Sequence, residues 1–111
     1  MLMVLYNKTQ KKIITKQLKI AKTFTDNLFG LIKENKETSM FFNTRFGIHT
    51  FFMKYPIDII IIDKKNKVVK IKNNLTPNKL FFWNPKFHKI IETHVLPNKI
   101  NLNDTLEIKS L

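Results

Sequence analysis

The run Ile57-Asp58-Ile59-Ile60-Ile61-Ile62 is followed by Asp63-Lys64-Lys65-Asn66-Lys67 and then by Val68-Val69-Lys70-Ile71. Apart from Asp58, every position of the first segment is apolar. Neither of its faces suits water, so it reads as a central strand covered on both sides. The charged segment reads as a turn, and Val68 to Ile71 as the returning partner of a hairpin. Pro56 cannot donate to a ladder and marks a bend or an edge position just upstream.

Working outward from this hairpin, more strands follow. Ile48 to Met53 is rich in β-branched and aromatic residues, Met40-Phe41-Phe42 is a short strand, and Asn43 to Gly47 turns between them. Met1 to Tyr6 and Ile13 to Ala21 form an N-terminal hairpin around the polar turn Asn7-Lys8-Thr9. Within it Ile14, Leu18 and Ile20 share one face, and Thr15, Gln17 and Lys19 the other. Thr23 or Thr25 offers an N-cap, Asp26 suits the first turn, and Leu28, Leu31 and Ile32 have i, i+3, i+4 spacing. This predicts one short helix near residues 24–32, weakened by Gly30. Downstream, Asn73, Asn74, Pro77, Asn78, Asn84 and Pro85 punctuate a loop around Leu80-Phe81-Phe82-Trp83. Lys89 to Leu96 reads as a strand, Pro97-Asn98 as a turn, and Leu106-Glu107-Ile108 as a terminal strand. The expectation is a mainly β, antiparallel, barrel- or sandwich-like fold with one short helix, as a single domain over residues 1–111. Its core is expected from Ile14, Leu18, Leu31, Phe42, Phe52, Ile60, Ile62 and Val69.

Composition narrows the function classes. The 111 residues fit one domain, and ten Phe with 43% hydrophobic residues suffice for a core. The absence of Cys excludes a disulfide framework, a thiol nucleophile and any Cys-based zinc or iron–sulfur site. The apolar start Met1 to Tyr6 is too short for the core of a signal peptide, and Ile59 to Ile62 is far below the about 20 residues of a membrane span. A cytoplasmic protein with no membrane span is therefore expected.

The net charge of +12 has two readings. Nucleic acid, ribosomes and anionic membrane surfaces all attract such a chain. Alternatively, the over-use of Lys, Asn, Ile and Phe makes the chain basic whatever it binds. Of the 20 basic residues only Arg45 is Arg, the residue suited to bidentate phosphate and guanine contacts, and the lysines form no block. The compositional reading is favoured, and its main rival is weak, non-specific nucleic-acid contact rather than sequence-specific reading.

The common catalytic motifs are missing. With two glycines, Gly30 and Gly47, there is no P-loop and no dinucleotide fingerprint, and no serine sits in a nucleophile elbow. His49, His88 and His94 lack i, i+4 spacing, so no metal and no cofactor are expected. Asp58 interrupts an apolar run and needs a partner, because burying a lone carboxylate is unfavourable by several kcal/mol. In an unbroken strand Thr50, Lys54 and Asp58 share a face. A pocket built on Asp58 and an ordinary structural network around it are both open. Phe81-Phe82-Trp83, with Lys79 and Lys86 nearby, suits either base stacking or covering the end of a barrel. The candidate binding residues are His49, Thr50, Lys54, Asp58 and Trp83.

Ile48-His49-Thr50-Phe51-Phe52-Met53-Lys54-Tyr55-Pro56-Ile57-Asp58 also resembles the central signature of the domain of unknown function 192 family. The apolar strand ending at Asp63, then Val68-Val69 and Leu75-Thr76-Pro77, continues the resemblance. Upstream, Ala21-Lys22-Thr23 and Gly30-Leu31-Ile32 are similar to family elements; downstream, so are Glu92, Leu96-Pro97 and Asn103-Asp104. Asn98 and Asn103 stand where the family carries glycine, a mild exchange because Asn tolerates left-handed backbone. The resemblance implies a compact β fold and no established activity, cofactor or substrate.

The sequence therefore favours a non-catalytic binding or accessory module. The alternatives are a non-specific nucleic-acid or ribosome-associated protein, and an enzyme using Asp58 with His49.

Overall fold

The computed structural model describes residues 2–21, 38–45, 47–50, 55–93 and 100–110. Among the described residues nine strands follow one another: β1 (Leu2–Asn7), β2 (Lys12–Ile20), β3 (Ser39–Asn43), β4 (Ile48–His49), β5 (Ile57–Ile62), β6 (Val68–Leu75), β7 (Leu80–Phe81), β8 (Lys89–Thr93) and β9 (Leu106–Ser110). Seven build one sheet in the order β6-β5-β8-β3-β2-β1-β9, and β4 with β7 makes a separate two-stranded ribbon. Neighbours in the large sheet are antiparallel except β2 and β3, which run parallel. A parallel pair needs a crossover, and the segment between β2 and β3 supplies one. The expected helix at residues 24–32 falls in that segment, outside the described residues.

The sheet curls until its two edge strands meet at one end. Lys67 bridges to Thr105. The Val68 N–H donates to Asp104 O (2.8 Å), Asn103 N–H to Val68 O (2.9 Å) and Leu106 N–H to Asn66 O (2.9 Å). The result is a half-barrel. Bulges help it curl, because each extra residue bends and twists its strand. Against β1, the register of β2 shifts on either side of the Leu5–Thr15 pair, and the Thr15 hydroxyl accepts the Gln17 N–H (3.0 Å). A bulge in β6 carries Asn74 at φ 56°.

The alternation of β5 sorts its residues between two cores. Ile60 and Ile62 join Leu5, Ile14, Leu18, Val68, Ile91 and Leu106 inside the curl. Ile57, Ile59 and Ile61 join Met40, Phe42, Ile90, Leu75 and Trp83 on the outer face, where Ile48 and Phe81 of the ribbon pack against them. Both faces of β5 are thus covered, as its sequence requires. Of the expected core, Ile14, Leu18, Phe42, Ile60 and Ile62 are buried. Leu31 and Phe52 lie outside the described residues. Val69 is only half-buried, and Val68 takes the buried position beside it. The register of β5 against β6 shifts between Ile61 and Ile62, which reassigns the faces at that point.

Few glycines are available for left-handed turns, and asparagine fills the role. Asn66, Asn74, Asn78 and Asn103 all have positive φ, as has Lys11.

The closed end is locked by Asp104, which is buried. One of its carboxylate oxygens accepts from Asn7 Nδ2 (2.8 Å), Gln10 Nε2 (2.7 Å) and the Asn101 N–H (2.8 Å). Burial pushes this carboxyl up, but the three hydrogen bonds together outweigh burial and hold it below its ordinary value. A depressed carboxylate stabilises the fold above the unfolded pKa, and the effect is lost as pH falls through the folded value. Asp104→Asn is therefore expected to destabilise the protein by about 1–3 kcal/mol at neutral pH. Urea unfolding of both proteins at about pH 7 and pH 3 should show the difference shrinking at the lower pH.

Candidate functional site

Asp58 lies on β5 with the alternation of Ile60 and Ile62, toward the inside of the curl. Its Oδ1 accepts the Asn74 N–H (2.8 Å), a donor released from the ladder by the β6 bulge. Opposite it stands Thr93, whose hydroxyl accepts from Ser39 Oγ (2.8 Å), so a polar group closes this end of the inner face.

His49 lies in a different layer. In the ribbon Ile48 pairs with Phe81 and His49 with Leu80. Ile48 and Phe81 pack on the sheet, so His49 and Leu80 face away from it. Asp58 and His49 are on opposite sides of the sheet, and no hydrogen bond or ion pair between them is found among the described residues. Thr50 is buried and serves as a tie. Its hydroxyl donates to Thr76 O (2.7 Å) and accepts the Lys79 N–H (2.9 Å), while its backbone bonds Lys79 O and the Asn78 N–H. Trp83 is 7% exposed, and its indole N–H donates to Phe87 O (2.9 Å); it caps the outer core. Lys54 and His94 lie outside the described residues. The five candidates therefore do not form one constellation among the described residues.

Two features lie elsewhere. The first is Glu92, on the face of β8 turned to the outer core, opposite Met40 and Ile59. It is 6% exposed, and burial pushes its carboxyl up to about 8. At neutral pH it is mostly a neutral carboxylic acid, able to donate as well as accept. Glu92 follows only two isoleucines and precedes Thr93, so its sequence setting gives a weaker signal than that of Asp58, and the sequence offered it only as part of the family resemblance. Among the described residues no group of three or more His, Asp or Glu side chains could hold a metal.

The second is a cavity of about 610 Å³ where the β5–β6 turn meets the segments around Arg45 and Lys86. Arg45, Lys64, Lys65, Lys67, Lys86 and Lys89 line it, with His88 and a single carboxylate, Asp63. Oδ1 of that carboxylate is engaged by the Lys65 and Lys67 N–H groups (2.9 Å each), which fix the turn. Other lining groups are also positioned. Lys89 Nζ donates to Asn66 Oδ1 (3.1 Å), Arg45 Nη1 to Pro85 O (3.0 Å), and His88 Nδ1 is bonded to Asn43 Oδ1 (2.9 Å). Sequence reading missed this cavity because its cations come from three separate segments that no spacing connects.

A family profile described as DUF192, Uncharacterized ACR, matches residues 5–106. A UPF0127 protein of Thermococcus sibiricus is 38% identical over 76 residues, which cover 62% of this chain and 49% of that protein. The chain thus spans about half the length of this relative. Two crystal structures share the fold. One is a protein of unknown function from Novosphingobium aromaticivorans (TM-score 0.74, 16% identity, 96% of this chain and 83% of that one). The other is described as a putative transcription regulator from Sinorhizobium meliloti (TM-score 0.70, 14% identity, 96% and 91%). Among the described residues no helix is long and apolar enough to cross a membrane.

A raised carboxyl favours the folded state below the unfolded pKa and opposes it increasingly as pH climbs toward the folded value. With values of 4.5 and about 8, Glu92 burdens the fold across that window. Glu92→Gln is expected to stabilise the protein by roughly 3 kcal/mol at pH 7 and by little at pH 4.5. Urea midpoints across this range test the trend; a constant difference would contradict it.

Proposed function

The chain belongs to the DUF192 family, described as uncharacterized, and from that premise we propose that it is a non-catalytic binding module whose ligand is an anion held in the basic cavity. The observation that carries this reading is six cations around about 610 Å³ with one carboxylate, itself engaged by backbone N–H groups. Like charges lining one cavity reinforce one another's field. Without a counter-charge they repel, so an anion gains attraction and relieves strain at once. The volume falls in the range of about 300–1,000 Å³ usual for small-ligand sites, larger than a single phosphate needs.

The non-catalytic part rests on the placement of the acids and bases. A proton-transfer pair must converge on one substrate within hydrogen-bond reach. Asp58 is on the inner face, Glu92 on the outer face, and His49 on the far side of the ribbon, while the acid and imidazole that do line the cavity are engaged structurally, Asp63 Oδ1 by the Lys65 and Lys67 N–H groups and His88 Nδ1 by Asn43 Oδ1.

Titration of the protein with inorganic triphosphate, followed by amide NMR at about 50 and 200 mM salt, tests the site. Shifts are expected around Lys64–Lys67 and Lys86–Lys89, weakening at the higher salt. Combined Lys64→Gln and Lys67→Gln should lower affinity roughly tenfold, whereas Lys11→Gln with Lys12→Gln at the β1–β2 turn should change it little. Equal losses from both pairs would mean that only net charge matters, and the cavity reading would fall.

A further inference from the structure

Phe82 is 63% exposed, the most exposed large apolar side chain among the described residues. Its neighbours Phe81 and Trp83 turn inward, and their rings pack 5.8 Å apart. Phe82 alone of the three presents its ring to solvent.

The ring is nonetheless held in place. Gly47 sits beneath it at φ 141°, a conformation that side chains rarely adopt. A Cβ added there would lie 2.6 Å from Phe82 Cδ1, 3.1 Å from Cε1 and 2.7 Å from Phe81 O. The glycine therefore lets the aromatic edge rest directly on backbone. Gly47 is two residues from Arg45, and Phe82 three from Pro85, which accepts the Arg45 hydrogen bond. Two residues span at most about 7 Å. Two contacts therefore link these stretches, the aromatic ring on Gly47 and the Arg45 guanidinium on the Pro85 carbonyl. The exposed ring is thus tied to the stretch of chain that contributes Arg45, the chain's one arginine, to the cavity lining, although Phe82 itself does not line it.

We propose that the anion bound by the cavity is the backbone of a single-stranded nucleic acid, with one base stacked on Phe82. This rests on the anion-binding reading above and names its ligand. Cations track phosphates, and a fixed, exposed aromatic ring holds a base; together these are the two parts of a single-strand site. Stacking accepts any base, which agrees with a wall of lysines that offers little base-edge readout. Paired bases are occupied by their own stack, so a duplex loses the Phe82 contact.

The test uses the full chain and two probes, a fluorescent oligothymidylate of about 12 nucleotides and inorganic polyphosphate as its competitor. The oligonucleotide should bind more tightly than polyphosphate of similar charge, and more tightly than a duplex of the same length. Phe82→Leu should weaken oligonucleotide binding roughly 5- to 100-fold and leave polyphosphate binding unchanged, while Phe82→Tyr should retain both. Equal affinity for the two probes, or Phe82→Leu weakening both alike, overturns the stacking proposal and leaves an anion site. Failure of both probes to bind at about 50 mM salt removes the anion reading itself.

Discussion

The isoleucines of β5 impose the condition that organises the rest of the molecule: each of its two faces must be kept from water. Inside, the sheet curls so that Ile60 and Ile62 meet Leu5, Leu18 and Leu106. Outside, Ile59 and Ile61 need a separate cover, and the β4–β7 ribbon with Trp83 provides one. Burying a side chain such as Ile stabilises by about 1.5–3 kcal/mol, so the two layers over β5 and β8 outweigh any single polar contact described here. The ribbon, the Thr50 tie and the Trp83 hydrogen bond follow from that demand. They bring Arg45 and Lys86 beside the β5–β6 turn, where the cavity forms.

Three acids show how environment decides the fate of similar side chains. Asp104 is buried but receives three hydrogen bonds, and its charged form is favoured. Glu92 is buried against apolar neighbours, and its neutral form is favoured. Asp58, half-buried, is bonded to the N–H that a bulge sets free. Asp104 works as a lock and Asp58 as a staple for irregular backbone. Glu92 serves neither role among the described residues, and its burial on the outer face favours the neutral form.

Much of the architecture was legible because it follows from local patterns. The hairpins β1–β2 and β5–β6, the short strand Ser39–Asn43 and the terminal strand announce themselves by alternation and turn residues. The parallel pairing of β2 with β3 was not legible, since nothing local in either strand specifies which neighbour it will have. The split between an inner and an outer core was hidden for the same reason, although the doubly apolar β5 required some cover. At the candidate site the sequence identified residue types but not their sides. Asp58 stood out as an acid in an apolar run, Thr50 by the face it was expected to share with Asp58, and Trp83 by its aromatic neighbours, and the structure gives each a supporting contact. The basic cavity depends on three segments meeting, and no sequence separation encodes that.

The pairing of β1 with β9, in which Met3 stands opposite Ser110, has a consequence for how the chain folds. Every residue between β1 and β9 must be made before these strands can meet, and closing so long a loop is slow relative to forming the local hairpins. On the ribosome the β1–β2 hairpin forms early and then waits with one edge bare. An exposed strand edge is a template for pairing with another chain. The interval between the emergence of β2 and that of β9 is therefore when this chain is most open to joining another copy of itself, and translation pauses after β8 lengthen that exposure.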